Sequence, residues 1–135
     1  MRQVSKLSPA QVNQLTEWFD QLWWTAGRAR HDIERMLEHC EVIALIGESD
    51  ELVGFARVIG DRVYKALILD VVVDSERRGE GLGAELMDAV LAHPAVASCG
   101  HLELYCAPDM VSFYERYGFS SELGTLTFMR AAPGG

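Results

Sequence analysis

Apolar residues recur along this chain with two different periods. From Val12 they continue at Leu15, Trp18, Phe19 and Leu22, the three- and four-residue steps of an amphipathic helix. Ser8-Pro9 just ahead supplies a serine N-cap and a proline at the first helical position, so the helix is predicted to start there. A second, shorter helix is predicted from about Ala29 to His39, with Ile33, Met36 and Leu37 on its apolar side. The pattern then changes. VIALIG (42–47) and LVGFARVIG (52–60) are apolar runs joined by the polar stretch Glu48-Ser49-Asp50-Glu51, a hairpin signal. VYKALILDVVV (63–73) is long and rich in β-branched residues, which suits a further strand. Helical spacing returns from about Leu82 to His93 and stops ahead of Pro94, because a residue before proline is pushed out of helical dihedrals. HLELYC (101–106) reads as a strand, VSFYERYG (111–118) as a short helix ended by Gly118, and LTFMR (126–130) as a terminal strand.

This order is helices first, then hairpin-linked strands, then a strand–helix–strand crossover. Such crossovers are right-handed, which sets strand 101–106 beside strand 63–73 and parallel to it. The expected fold class is a mixed α/β sheet with helices on both faces. At 135 residues the chain is close to the commonest domain size, so a single domain over 1–135 with one core is expected.

Composition narrows function by exclusion. A net charge of −8 argues against a general nucleic-acid surface, which needs a basic stripe to displace counterions. It suits a cationic small substrate drawn to an acidic cleft, although solubility alone accounts for it. The apolar runs fall short of the ~18 residues of a bilayer span, and MRQVSKLSPAQ lacks the apolar segment of a secretory signal, so no membrane partner is expected. Cys40, Cys99 and Cys106 are odd in number and lack CxxC spacing, and His31, His39, His93 and His101 follow no ligand spacing. Reduced thiols in a cytoplasm, and no metal, are the economical expectation.

The chemistry concentrates in DSERRGEGLGA (74–84), between the strand LILDVVV and the helix ELMDAVLAH. A strand that feeds a glycine-rich turn into a helix aims several unpaired N–H groups at one point, where an anion fits. Glycines permit positive φ and a close backbone approach, and arginine adds a delocalised charge suited to phosphate. Three phosphate motifs compete. No lysine follows the glycines, so the P-loop pattern fails. The dinucleotide fingerprint matches Gly79, Gly81 and Ala84, with Glu103 about where a ribose-binding acid is sought. Yet Asp74 to Arg78 intervene between strand and first glycine, and Glu103 sits mid-strand.

The third pattern is R-x-x-G-x-G. Read this way, Arg78, Gly81 and Gly83 resemble the pyrophosphate loop of the GCN5-related N-acetyltransferase family, and LDVVVDSERRGEGLG resembles that family's fourth strand and loop. About thirty residues on, FYERYGF (113–119) resembles its tyrosine-bearing helix ending in glycine-phenylalanine. The likeness covers roughly 42 to 130; it is to small bacterial members, with some likeness to plant chloroplast members that acetylate arylalkylamines or protein lysines. It implies the acyl-CoA N-acyltransferase fold: a mostly antiparallel sheet with a parallel, splayed pair at strands 4 and 5. It also implies acetyl-CoA as cosubstrate, a primary amine as acceptor, and direct transfer.

The resemblance further implies roles. Backbone groups around Arg78, Gly79, Gly81, Gly83 and Ala84 would hold the pyrophosphate, with Arg77 either adding charge or solvated. Backbone groups of Val71, Val72 and Val73 would meet the pantetheine arm, one N–H facing the developing oxyanion, a donor worth about 3 kcal/mol. Tyr114 stands at the general-acid position, with Tyr117 as rival. Asp70 interrupts an apolar strand, where a charge is costly without a partner or purpose. It is the candidate base; a structural carboxylate that caps backbone or pairs with Arg57 is the equal alternative. By alternation Asp70 shares a face with Val72, opposite Leu69, Val71 and Val73. Ala107 departs from the asparagine that many family members carry there to contact the cofactor, and Asp109 is the candidate for part of that role. Trp23 and Trp24, followed by Arg28 and Arg30, lie where the first two helices of the family form the acceptor site; stacking on an aromatic amine, core packing and a dimer contact are all open. The expected protein is an N-acetyltransferase, with a homodimer reasonable. Its rival is a non-catalytic acyl-CoA-binding sensor.

Overall fold

Ser8 begins the first helix in the way its sequence requires. Its hydroxyl accepts from the Gln11 N–H (3.2 Å) while Gln11 Oε1 accepts from the Ser8 N–H (2.8 Å), a reciprocal cap that starts α1 (Pro9–Gln21). The computed structural model describes residues 1–133. It continues with α2 (Arg30–Glu38), β2 (Glu41–Ile46), β3 (Leu52–Gly60), β4 (Lys65–Val73), α3 (Leu82–Ala92), α4 (Pro94–Ala97), β5 (His101–Glu103) and α5 (Val111–Glu115). A short strand, β1 (Arg2–Val4), precedes them and pairs antiparallel with β2.

Two compact units divide the chain, Met1–Leu104 and the residues from Tyr105 onward. The first contains the whole sheet, ordered β1-β2-β3-β4-β5, antiparallel throughout except for the parallel β4–β5 pair. Residues paired across an antiparallel ladder point to one face. Ala44 and Phe55 are such a pair, and they join Val12, Leu15, Phe19 and Ile33 of α1 and α2 in one core. Leu45 and Gly54 point the other way: a Cβ built on Gly54 would lie 3.5 Å from Leu45 and 3.6 Å from Leu86 of α3. Helices thus cover both faces, as the strand–helix–strand order predicts. The α3 side is anchored by Leu86, Met87 and Val90, all fully buried.

Pairing between β4 and β5 covers only Lys65, Ala66 and Leu67 against His101, Leu102 and Glu103. The strand expected over 101–106 therefore stops at Glu103, and β4 runs on to Val73 without a β5 partner. This is the splayed parallel pair. On the other edge of β4 the register slips: Phe55 faces Val72 while Arg57 faces Leu69, so Asp70 and Val71 together oppose Ala56. Such a bulge breaks strict alternation. Asp70 and Val72 share the α1–α2 face as expected, but pairing with Arg57 puts Leu69 there too.

In the second unit a 3-10 turn (Pro108–Met110) leads into α5. The chain reverses at Gly118, whose φ of +89° suits glycine at a helix end, as predicted. No strand forms over 126–130. Leu126, Phe128 and Met129 are mostly exposed, and the segment packs instead through side chains, Phe128 lying 5.3 Å from the Tyr105 ring and Arg130 5.0 Å above it.

Candidate active site

The turn after β4 is built to leave amides open. Asp74 caps a 3-10 turn (Ser75–Arg77) by accepting from the Glu76 N–H at 2.9 Å. Gly79 and Gly81 follow with φ of +83° and +74°, and a Cβ on either would meet no atom within 4 Å. These glycines are therefore required by dihedral, and the space beside them is open. Gly81 is the N-cap of α3 and has no side chain to accept a hydrogen bond. The first helical bond runs from the Glu85 N–H to the Gly81 oxygen (3.1 Å), so the N–H groups of Leu82, Gly83 and Ala84 have no helix acceptor. A helix start with open amides and room before it suits a phosphate. Arg78 is exposed, and among the described residues it makes no ion pair. Arg77 instead donates to Glu80 (Nε 3.3 Å, Nη2 3.1 Å) and lines a shallow hollow with Glu48 and Glu51, so its charge is compensated locally.

Val71, Val72 and Val73 are half-buried. They form the end of β4 that β5 does not pair, so their backbone on that edge is not committed to a ladder. The bulge one residue earlier holds Asp70 at φ +53°, a left-handed conformation within a strand. Its carboxylate is 5% exposed and bonded twice over. Arg28 donates to both oxygens (Nη1 2.7 Å, Nη2 3.3 Å) and Arg57 Nε donates at 2.6 Å. Burial pushes the Asp70 carboxyl upward more than any other single influence, but the hydrogen bonds and charges of Arg28 and Arg57 together outweigh it and hold the group below the usual carboxylate range.

The pairing with Arg57 across the hairpin was one of the two sequence readings. The bond from Arg28 was not foreseen, although one signal pointed to it: a carboxylate buried among apolar residues calls for more than one donor. Arg30 faces elsewhere, bonding the Pro9 carbonyl at 3.3 Å. Trp23 and Trp24 are 83% and 49% exposed and pack edge-on at 5.7 Å, so neither is core.

In the second unit Tyr114 is 7% exposed, between Phe113 (ring centroids 5.0 Å) and Phe119 (6.1 Å). Burial pushes its phenol up to about 12, and negative charge on Cys106 acts in the same direction. Tyr117 lies 5.5 Å from Phe113 and is less buried. Ala107 caps the 3-10 turn without a side-chain bond, and Asp109 is exposed within it. Among the described residues no group of three or more His, Cys, Asp and Glu could hold a metal ion, and no helix is long and apolar enough to cross a membrane.

Residues 9–119 match the model of the acetyltransferase (GNAT) family. The chain is 34% identical over 99 residues to serotonin N-acetyltransferase 2, chloroplastic, of Oryza sativa subsp. japonica, an alignment covering 70% of this chain and 50% of the rice protein. It is 33% identical over 120 residues to the uncharacterized N-acetyltransferase ycf52 of Porphyra purpurea, covering 86% of this chain and 68% of that one. The chain thus spans about half the length of the rice relative. In three dimensions it is similar to a protein from Xanthomonas campestris pv. campestris assigned to the GNAT family, with a TM-score of 0.81, 27% identity, and 99% and 96% of the two chains covered.

Proposed function

Since the chain belongs to the acetyltransferase (GNAT) family, we propose that it transfers the acetyl group of acetyl-CoA directly to a primary amine, on a small molecule or a lysine side chain. The observation that carries this reading is the entrance to α3: a glycine N-cap, three amides without a helix acceptor, and open space where two glycine side chains would be. A diphosphate suits such a cradle. Acetyl-CoA carries one, and supplies the activated acetyl thioester.

In this reading the amides around Gly79, Gly81, Gly83 and Ala84 bind the pyrophosphate, and exposed Arg78 adds charge. The uncommitted backbone of Val71, Val72 and Val73 orients the pantetheine arm, and one N–H stabilises negative charge on the carbonyl oxygen. Tyr114 keeps its proton at neutral pH and gives it to the departing thiolate. Asp70, held by two guanidinium groups, is a weak proton acceptor, so the proton of the amine passes to water and the carboxylate serves the backbone instead. The name of the rice relative and the exposed Trp23–Trp24 pair support arylalkylamines as the first acceptors to test. Three free cysteines support a reducing compartment, the cytoplasm.

The test is release of free CoA thiol with acetyl-CoA and a panel containing serotonin, a polyamine and a lysine peptide. Thiol release matched by acetylated amine is the expected result. Tight acetyl-CoA binding with no turnover on any amine would point to an acyl-CoA sensor. A thermal shift with NAD and none with acetyl-CoA would end the loop assignment.

A further inference from the structure

Asp70 is unusual on two counts at once. It is a non-glycine residue at φ +53° inside a strand, and its side chain is nearly sealed from solvent. An L residue with a Cβ takes that dihedral only where its surroundings over-determine it. Here the surroundings are the two arginines. Arg57 stands on β3 beside the bulge and holds one carboxylate oxygen. Arg28 comes from the segment between α1 and α2, and grips both oxygens, sharing Oδ2 with Arg57.

Arg28 is itself positioned in advance. Its guanidinium lies 4.7 Å above the centroid of the buried Phe19 ring. The turn leading to it is tied down by Thr25, whose buried hydroxyl donates to the Phe19 carbonyl at 2.8 Å. Gly27, at φ +89°, donates its N–H to Asp20 Oδ1 at 3.3 Å. A planar cation that stacks on one face and forks onto a carboxylate fixes direction as well as distance. The carboxylate it fixes begins the bulge from which Val71, Val72 and Val73 emerge.

We propose that Arg28 is a positioning residue for the acyl-transfer strand: by gripping Asp70 it holds the left-handed kink that sets the direction of the Val71–Val73 backbone, and it ties the segment bearing Trp23 and Trp24 to that same point. The kinetic consequence rests on the acetyltransferase reading; the backbone consequence does not. Arg28 is 31% exposed and lies outside any helix or strand, and Arg57 still pairs with Asp70 when Arg28 is replaced, so the variant is expected to fold, with some loss of stability.

Arg28→Met keeps an apolar stem over Phe19 and removes the charge; Arg28→Lys keeps one charged donor. In the full chain, Arg28→Met is expected to lower kcat about ten-fold or more while changing the acetyl-CoA Kd by less than about three-fold. Arg28→Lys should recover a substantial part of that loss. The amide resonances of Val71, Val72 and Val73 should move in the Met variant without any ligand present. On an Asp70→Asn background, Arg28→Met should add nothing further. If the resonances of those valines stay where they are, the proposal is overturned, whether or not the protein acetylates any amine in the panel. It is equally overturned if acetyl-CoA affinity falls as far as kcat, since that pattern belongs to a merely structural contact.

Discussion

In the proposed reaction a general acid has to keep its proton until the leaving group needs it, and the Tyr114 phenol does keep its proton. With its phenol pushed up to about 12 it is fully protonated across the physiological range, and its ring is fixed edge-on between Phe113 and Phe119. Tyr114→Phe preserves that packing and removes only the hydroxyl. We expect kcat to fall by roughly ten- to a hundred-fold with little change in acetyl-CoA affinity. An unchanged kcat in single-turnover experiments, where chemistry limits the rate, would remove Tyr114 as the acid. Asp70 gives a prediction about stability. Its carboxyl lies below the ordinary value of 3.8, so its stabilising contribution is fully present above that pH and is lost as the pH falls through the lower folded value. Asp70→Asn should therefore be less stable than the parent at neutral pH, and the gap should narrow in urea titrations taken below about pH 4. A gap that is constant with pH would mean that the carboxylate charge contributes nothing. At this scale the sequence showed the anomaly and half of its solution. A charge in an apolar strand is visible in one dimension, and Arg57 is a neighbour across a local hairpin. Arg28 is 42 residues away, and only the packing of the α1–α2 segment brings it to the carboxylate.

Among the elements, α3 bears most directly on the proposed function, and its first turn can be tested by separating strain from charge. Gly81 sits at φ +74° with no atom within 4 Å of a would-be Cβ. Gly81→Ala then costs only the dihedral, about 1 kcal/mol, or a few degrees in Tm. Gly81→Asp carries a similar strain and adds a carboxylate where the pyrophosphate would bind. We expect the Ala variant to keep most of its acetyl-CoA affinity and the Asp variant to lose at least about a hundred-fold, the work of one competing charge at an anion site. Equal affinities in two folded variants, read by calorimetry, would show that this helix start is not where the cofactor binds. The same element also shows what is readable from pattern. Leu86, Met87 and Val90 recur at helical spacing, and Pro94 stops the helix, so α3 was legible nearly to the residue. β1 was not, because Arg2, Gln3 and Val4 show no alternation and become a strand only by pairing with Ile46, Leu45 and Ala44. α4 is a single turn set by His93, whose Nδ1 accepts from the Ala95 N–H at 3.0 Å. The strand expected at 126–130 failed for the converse reason: its residues suit a ladder, but a ladder needs a partner edge that sequence alone does not supply.

For the molecule as a whole, charge is the property most fully written in the sequence, while the boundary between units at Leu104 and Tyr105 is marked by no linker or shift in composition. A net charge of −8 on 135 residues creates a field that attracts cations from beyond contact range. That field is screened over about 10 Å at 0.1 M salt and about 3 Å at 1 M, so its effect on encounter is read by varying ionic strength. If the field steers the acceptor, kcat/KM for a polyamine should fall several-fold between low and high salt, whereas an aromatic amine that is neutral at the assay pH should respond little. The comparison matters because salt also acts on acetyl-CoA, an anion, and on the open amides at α3. Those effects are common to both acceptors and cancel in the ratio of their kcat/KM values. A ratio that does not change with salt would assign the acidic balance to solubility alone, and acceptor choice would then rest on contacts at short range, with the exposed Trp23–Trp24 pair the first place to mutate.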